Sequence, residues 1–139
     1  MTLAAAQELG ATPLGRRRII PITGGRFDGE RLAGRVLPGG ADGQLVRADG
    51  VAELEARYTL ETADGALIYV RNRGYRHGPA EVIEQLAAGR EVDPASYYMR
   101  STPLFETADA RYAWLNRLVC VATGARRPAA VELEFFEVA

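Results

Sequence analysis

Turn signals break this chain at short, regular intervals. Gly24-Gly25, Asp28-Gly29, Pro38-Gly39-Gly40, Asp49-Gly50 and Asp64-Gly65 follow one another, and a last loop precedes Arg127-Pro128. Spacings of about ten residues leave room for strands and little for helices, the pattern of an all-β sandwich or barrel. The segments between the turns read as strands: Arg16 to Thr23, Arg31 to Leu37, Gly43 to Ala48, Val51 to Thr62 and Ala66 to Gly74. Asp64-Gly65 joins the last two as a tight hairpin. Tyr97 to Phe105 is extended again, and two apolar runs, "LVCVATG" and "AAVELEFFEVA", end the chain as strands.

One segment breaks the pattern. In "PAEVIEQLAAG", Val82, Ile83, Leu86 and Ala87 recur at helical spacing, Pro79 suits a first turn and Gly89 a C-terminal cap. A second short helical turn, capped by Thr107, is expected in "TADARYAWLN" before the chain returns to strand. The expected fold is all-β, a single antiparallel β-barrel of about eight or nine strands with one short helix over Pro79 to Ala88. It occupies residues 1–139 as one domain. Closing the sheet removes exposed strand edges.

Composition narrows the chemistry. Net charge is −1, from 17 basic and 18 acidic residues, so no basic footprint for nucleic acid or an anionic membrane exists. Every basic residue is arginine, which excludes a lysine Schiff base. The single cysteine, Cys120, permits no intrachain disulfide. No apolar run is long enough to span a membrane, and "MTLAAAQELG" lacks the apolar core of a leader. A cytoplasmic protein is expected. No metal-ligand spacing, phosphate loop, dinucleotide fingerprint or nucleophile elbow is present, so no cofactor is expected. The lone histidine, His77, sits in a polar stretch and reads as solvated.

Polar residues on strand faces carry what functional signal there is. By alternation, Asn72 shares a face with Ile68 and Val70, and Arg100 shares one with Tyr98 and Thr102. Asn116 shares one with Trp114, Leu118 and Cys120. Buried polar groups need partners, so these three belong either to a hydrogen-bond network across strands or to a site. Pro38-Gly39-Gly40 turns the chain just before Asp42 and Gln44, which point to one face. Asp42 either bonds the turn's own amides or faces a cavity as a carboxylate tuned by burial and a nearby arginine. Phe105, Tyr112 and Trp114 either pack a barrel end or form a wall for a planar ligand.

The segments "RRRIIPITGGRFDG", "GRVLPGGAD", "ARYTLETADGALIYVRNRG", "YYMRSTPLFET" and "RYAWLNR" resemble, in order, the family called domain of unknown function 3237. The resemblance runs from Arg17 to the C-terminus. It implies a small calycin-like β-barrel, and it carries Asp42, Gln44, Arg57, Tyr58, Asn72, Arg100, Trp114 and Asn116 onto family motif positions. It brings no general activity. Where the family has an aromatic residue between the Asp and the Gln, this chain has Gly43, which is expected to open the barrel mouth. The first strand reads as short, leaving one barrel edge less covered.

Two functions are compatible with these readings. One is a cofactor-independent enzyme on a small hydrophobic or aromatic compound, doing isomerase, lyase or cyclase chemistry in the barrel cavity. Asp42 would move the proton, Arg100 and Asn116 would stabilise an oxyanion, and Gln44, Arg57, Tyr58, Asn72 and Trp114 would bind substrate. The alternative is a non-catalytic binding barrel, a carrier or sensor. Either is expected to work as a homodimer or larger, a partner covering the short first strand.

Overall fold

The computed structural model describes residues 1–139. Its strands are β1 (Thr2–Leu3), β2 (Gln7–Thr12), β3 (Gly15–Gly24), β4 (Arg26–Phe27), β5 (Gly34–Val36), β6 (Gly40–Val46) and β7 (Ala52–Thr62). Then come β8 (Leu67–His77), helix α1 (Ala80–Ala87), β9 (Tyr98–Glu106), β10 (Cys120–Arg126) and β11 (Val131–Glu137). All belong to one sheet, whose main path is β1-β3-β6-β7-β8-β9-β10-β11. Every pairing is antiparallel.

The sheet curls until its ends meet. Thr2 bridges Ala130, the Leu3 amide donates to Ala129 O at 3.1 Å, and the Val131 amide donates to Met1 O at 2.9 Å. That seam is only as long as β1. Beyond it the edge of β11 that faces away from β10 finds no partner strand, so the curled sheet stays open on one side, a half-barrel.

The Asp64-Gly65 hairpin is as the sequence predicts. β7 and β8 pair from Ala52↔Arg76 to Glu61↔Leu67, and Gly65 takes φ +90°, which the tight turn requires. Strand alternation then sets the interior. From β7 it takes Leu54, Ala56, Tyr58 and Leu60, and from β8 Ile68, Val70 and Asn72. Ile68 and Val70 are fully buried, each contributing about 1.5–3 kcal/mol. Tyr58, Leu60, Ile68, Val70, Ile22, Val36 and Leu115 pack into one apolar cluster. Ala52, Leu54, Tyr97, Met99 and Val131 form a second, closed by Leu86 of α1.

Several expectations need correction. The N-terminal stretch holds β1 and β2, which the sequence reading passed over; β2 folds back on β3 through a turn where Thr12 Oγ1 donates to Gly15 O at 2.7 Å. The Arg31 to Leu37 strand shrinks to Gly34–Val36. Helix α1 starts at Ala80 with Pro79 at its N-cap, and Gly89 follows it at φ +74°. The stretch Ala110–Arg117 is tight 3-10 turn, with Asp109 rather than Thr107 accepting from the Arg111 amide. Strand begins only at Cys120, so the alternation that placed Asn116 beside Trp114 does not hold.

Two interior glycines let neighbouring strands approach. A side-chain carbon on Gly40 would sit 2.6 Å from Tyr58 Cβ, and one on Gly74 2.6 Å from Ser101 Cβ. Both mark sharp bends in the curl. No helix is long and apolar enough to cross a membrane.

Candidate functional site

Two cavities adjoin inside the curled sheet, sharing Met1, Val131 and Leu133 as wall. The outer one measures about 830 Å³ and opens to solvent, walled mainly by apolar groups, among them Phe27, Tyr58, Leu60, Phe105 and Trp114. Charged residues also line the outer cavity, Arg26, Asp28, Glu30, Arg31, Glu132, Glu134 and Glu137, whereas the inner chamber, about 50 Å³, is lined on its polar side by Asp42, Gln44, Asn72, Arg76, Ser101 and Arg126. Register orders them. Tyr58 pairs with Val70, Ala56 with Asn72 and Ala52 with Arg76. Along β8 the chain therefore runs from the outer cavity past Asn72 to Arg76 at the deep end.

Asp42 faces this chamber. Its Oδ1 accepts the Glu55 amide at 2.8 Å, so the carboxylate is held by β7 and not by the Gly39-Gly40 turn. It inserts where the β6–β7 ladder lapses, between the pairs Asp42↔Ala56 and Leu45↔Glu53. Burial pushes its carboxyl above the usual range; the Glu55 N–H, then Arg76, Arg18 and Arg126, pull the other way without cancelling it. Gln44, 1% exposed, has its Oε1 fixed by Arg18 Nη1 at 3.2 Å. That contact turns the amide N–H groups away from Arg18. Arg18 Nε lies 3.0 Å from Glu8 Oε1, close enough for an ion pair but misaligned for a hydrogen bond.

Asn72, 5% exposed, leaves Oδ1 with no donor. A buried orphan acceptor is costly and invites a ligand. Arg76 also lacks a hydrogen-bond partner within the protein; burial, reinforced by repulsion from Arg126, lowers its pKa to about 10. Arg126 gives Nη1 to Arg127 O at 2.8 Å and Ala130 O at 3.0 Å.

The structure thus brings together Asp42, Gln44 and Asn72, with Tyr58 and Trp114 in the adjoining wall. Tyr58 is 4% exposed and burial pushes its hydroxyl up, so it stays protonated. Trp114 is half-buried with the Arg31 guanidinium 3.5 Å over its ring, and Arg31 in turn pairs with Glu137 at 3.5 Å. Phe105 shares that wall, whereas the Tyr112 hydroxyl is committed to Asp64.

Three expected residues lie elsewhere. Arg100 is exposed on the outer face, 5.4 Å over the Tyr98 ring; on β9 the inward set is Met99, Ser101 and Pro103. Arg57 is exposed beside Glu55, at 3.3 Å. Asn116 is exposed and clamps the 3-10 turn, accepting from Thr107 N at 2.8 Å and donating to Thr107 O at 2.9 Å. Gly43 points outward, its nearest side-chain neighbour Ile19 Cδ1, so its missing aromatic does not open the mouth. The sequence reading missed Arg76 and Arg126. Extending the Ile68, Val70, Asn72 alternation by two steps reaches Arg76.

The profile of a family described as "Protein of unknown function (DUF3237)" matches residues 1–138. A crystal structure of a conserved protein of unknown function from Rhodopseudomonas palustris is 42% identical, with TM-score 0.97, covering 99% of this chain and 91% of that one. One described as beta-barrel like, from Acinetobacter baumannii, is 49% identical with TM-score 0.85, covering 98% and 87%. A protein from Penicillium herquei described as an enzyme has TM-score 0.73 at 23% identity, covering 99% and 86%, a likeness of fold alone.

Proposed function

The chain belongs to the DUF3237 family of proteins of unknown function, and from that premise we propose that it is a proton-transfer enzyme for small apolar or aromatic carbonyl compounds. One observation carries this reading: a carboxyl with a raised pKa, Asp42, stands at the floor of an apolar cavity beside uncommitted polar groups. That is the arrangement of a general base poised to act in a dry site. The apolar body of the substrate lies against Tyr58 and Trp114. Asp42 removes a proton from carbon next to the carbonyl, and the electron pair passes to the carbonyl oxygen. Gln44, its Oε1 held by Arg18, turns its N–H groups toward that oxyanion. Return of the proton to another carbon, or expulsion of a leaving group, gives isomerase, lyase or cyclase chemistry. The Penicillium protein's description as an enzyme adds only that such a barrel can house catalysis.

The test is deuterium exchange. With 2-tetralone as probe in D2O, the protein is expected to accelerate loss of the α-proton NMR signals well above the buffer rate. Quenching of Trp114 fluorescence by 2-tetralone without any acceleration would favour the non-catalytic carrier instead.

We also infer a homodimer or larger. Leu104, Val119, Val121, Phe136 and Val138 are exposed on the outside of β9 to β11, and Val121 pairs directly with Phe136. Such an apolar patch beside a free strand edge suits self-association. Light scattering at micromolar concentration is expected to give at least twice the mass of one chain; a value near the single-chain 15.1 kDa would refute it.

A further inference from the structure

The inner chamber is cationic. Asp42 is the one carboxylate in its wall, against the guanidinium groups of Arg76 and Arg126. Burial weighs on both first; repulsion from Arg126 adds to it at Arg76, and repulsion from Arg18 adds to it at Arg126. A fold gains nothing by drawing two desolvated cations together, and Arg76 makes no hydrogen bond or close ion pair within the protein: Asp42 attracts it only at longer range. Arg126 still has Nε and Nη2 uncommitted after its two bonds to main-chain carbonyls. Elsewhere in the same chamber Asn72 Oδ1 has no donor. A guanidinium fork matches a carboxylate with two parallel N–H···O bonds.

Position fixes the orientation of the ligand. Arg76 lies four residues beyond Asn72 on the same strand face, roughly 13 Å along the backbone, and its long side chain spans part of that gap. Asp42 sits level with Asn72, both paired to Ala56. The chamber has room for a head group of only a few atoms, and the apolar space lies outside it.

We propose that the ligand is an amphipathic carboxylic acid that enters head first, its carboxylate on Arg76 and Arg126, a hydroxyl or enol donating to Asn72 Oδ1, and its apolar body in the outer cavity. This deepens the proton-transfer reading and rests on it for placing the reacting carbon beside Asp42.

Trp114 is the sole tryptophan and lines the outer cavity, so its fluorescence reports occupancy. The probes are 2-naphthoate and its neutral isostere 2-naphthamide. Wild-type protein is expected to bind the carboxylate at least about tenfold more tightly. Arg76→Gln is expected to abolish the preference while still binding the amide, and Arg73→Gln, on the outer face of the same strand, to leave it intact. Asp42→Asn removes the one opposing charge and is expected to tighten the carboxylate. Equal affinity for the two probes in wild-type protein overturns the proposal, as does an unchanged preference in Arg76→Gln. The comparison in wild-type protein stands whether or not the variant folds. A carboxylate preference without exchange of 2-tetralone protons removes the catalytic reading and keeps the anion site; exchange without the preference does the reverse.

Discussion

Asp42→Asn is expected to slow exchange of 2-tetralone α-protons by at least about a hundredfold, roughly 2.7 kcal/mol of barrier, with the fold intact. The substitution keeps the shape of the side chain and keeps an oxygen for the Glu55 amide, the one hydrogen bond Asp42 makes. It removes only the basic form. Stability separates catalysis from structure. The unfolded chain releases this proton near 3.8, whereas burial makes the folded chain hold it to higher pH. Protonation of Asp42 therefore supports the fold fully below 3.8, and that support is lost as pH rises through the raised folded value. The asparagine variant never ionises. Its melting temperature is expected to equal or exceed that of the wild type at pH 7, with the gap closing as pH falls toward 4. Wild-type exchange is expected to rise through the same raised pKa, since the base must be ionised, and the variant to show no such rise. Full exchange in a variant of lowered melting temperature would assign Asp42 to the β6–β7 ladder alone.

The all-β reading rested on local chemistry that the structure keeps. Asp64-Gly65 between two alternating runs needs a positive φ at the glycine, and the structure has it there, at +90°. Helical spacing occurs once, at Val82, Ile83, Leu86 and Ala87, and α1 lies there. Faces were legible where strand was truly strand: Asn72 turns inward because Ile68 and Val70 do. They misled in two ways. Around Asn116 the period of two was applied to a 3-10 turn, which has a period near three. On β9 the aromatic Tyr98 suggests an inner face, yet aromatic residues also cover outer faces, and here Tyr98 stacks on His77 at 4.7 Å. Arg76 escaped notice for a different reason. Arginine on a strand reads as exposed, and only the curl of the sheet, with Ala52 and Met99 paired to it on either side, draws it inside. Which cations share a chamber depends on the seam between Met1 and Val131, residues 130 apart in the chain, and no local pattern encodes that.

Gly74→Ala is expected to cost about 3 kcal/mol, near 10 °C in melting temperature, and to abolish exchange and carboxylate binding together. Gly74 pairs with Leu54 on one side and Ser101 on the other, midway between Asn72 and Arg76. The curl brings β9 so close that a side-chain carbon would lie 2.6 Å from Ser101 Cβ and 2.7 Å from Ser101 Cα. Neither is the end of a flexible side chain, so a strand must move. Separating β8 from β9 there splays Asn72 and Arg76 away from Asp42 and unmakes the chamber. Gly43→Ala is the matched control. It is one strand position from Asp42, yet its added carbon meets nothing closer than Glu55 O at 3.8 Å, and its φ is not positive. There the loss of freedom in the unfolded chain decides, and a gain of about 0.5 kcal/mol is expected. Thermal melts of both variants, read beside their 2-naphthoate affinities, check the contrast. A Gly74→Ala protein as stable as the wild type would mean that the close approach of β8 and β9 does not shape the chamber.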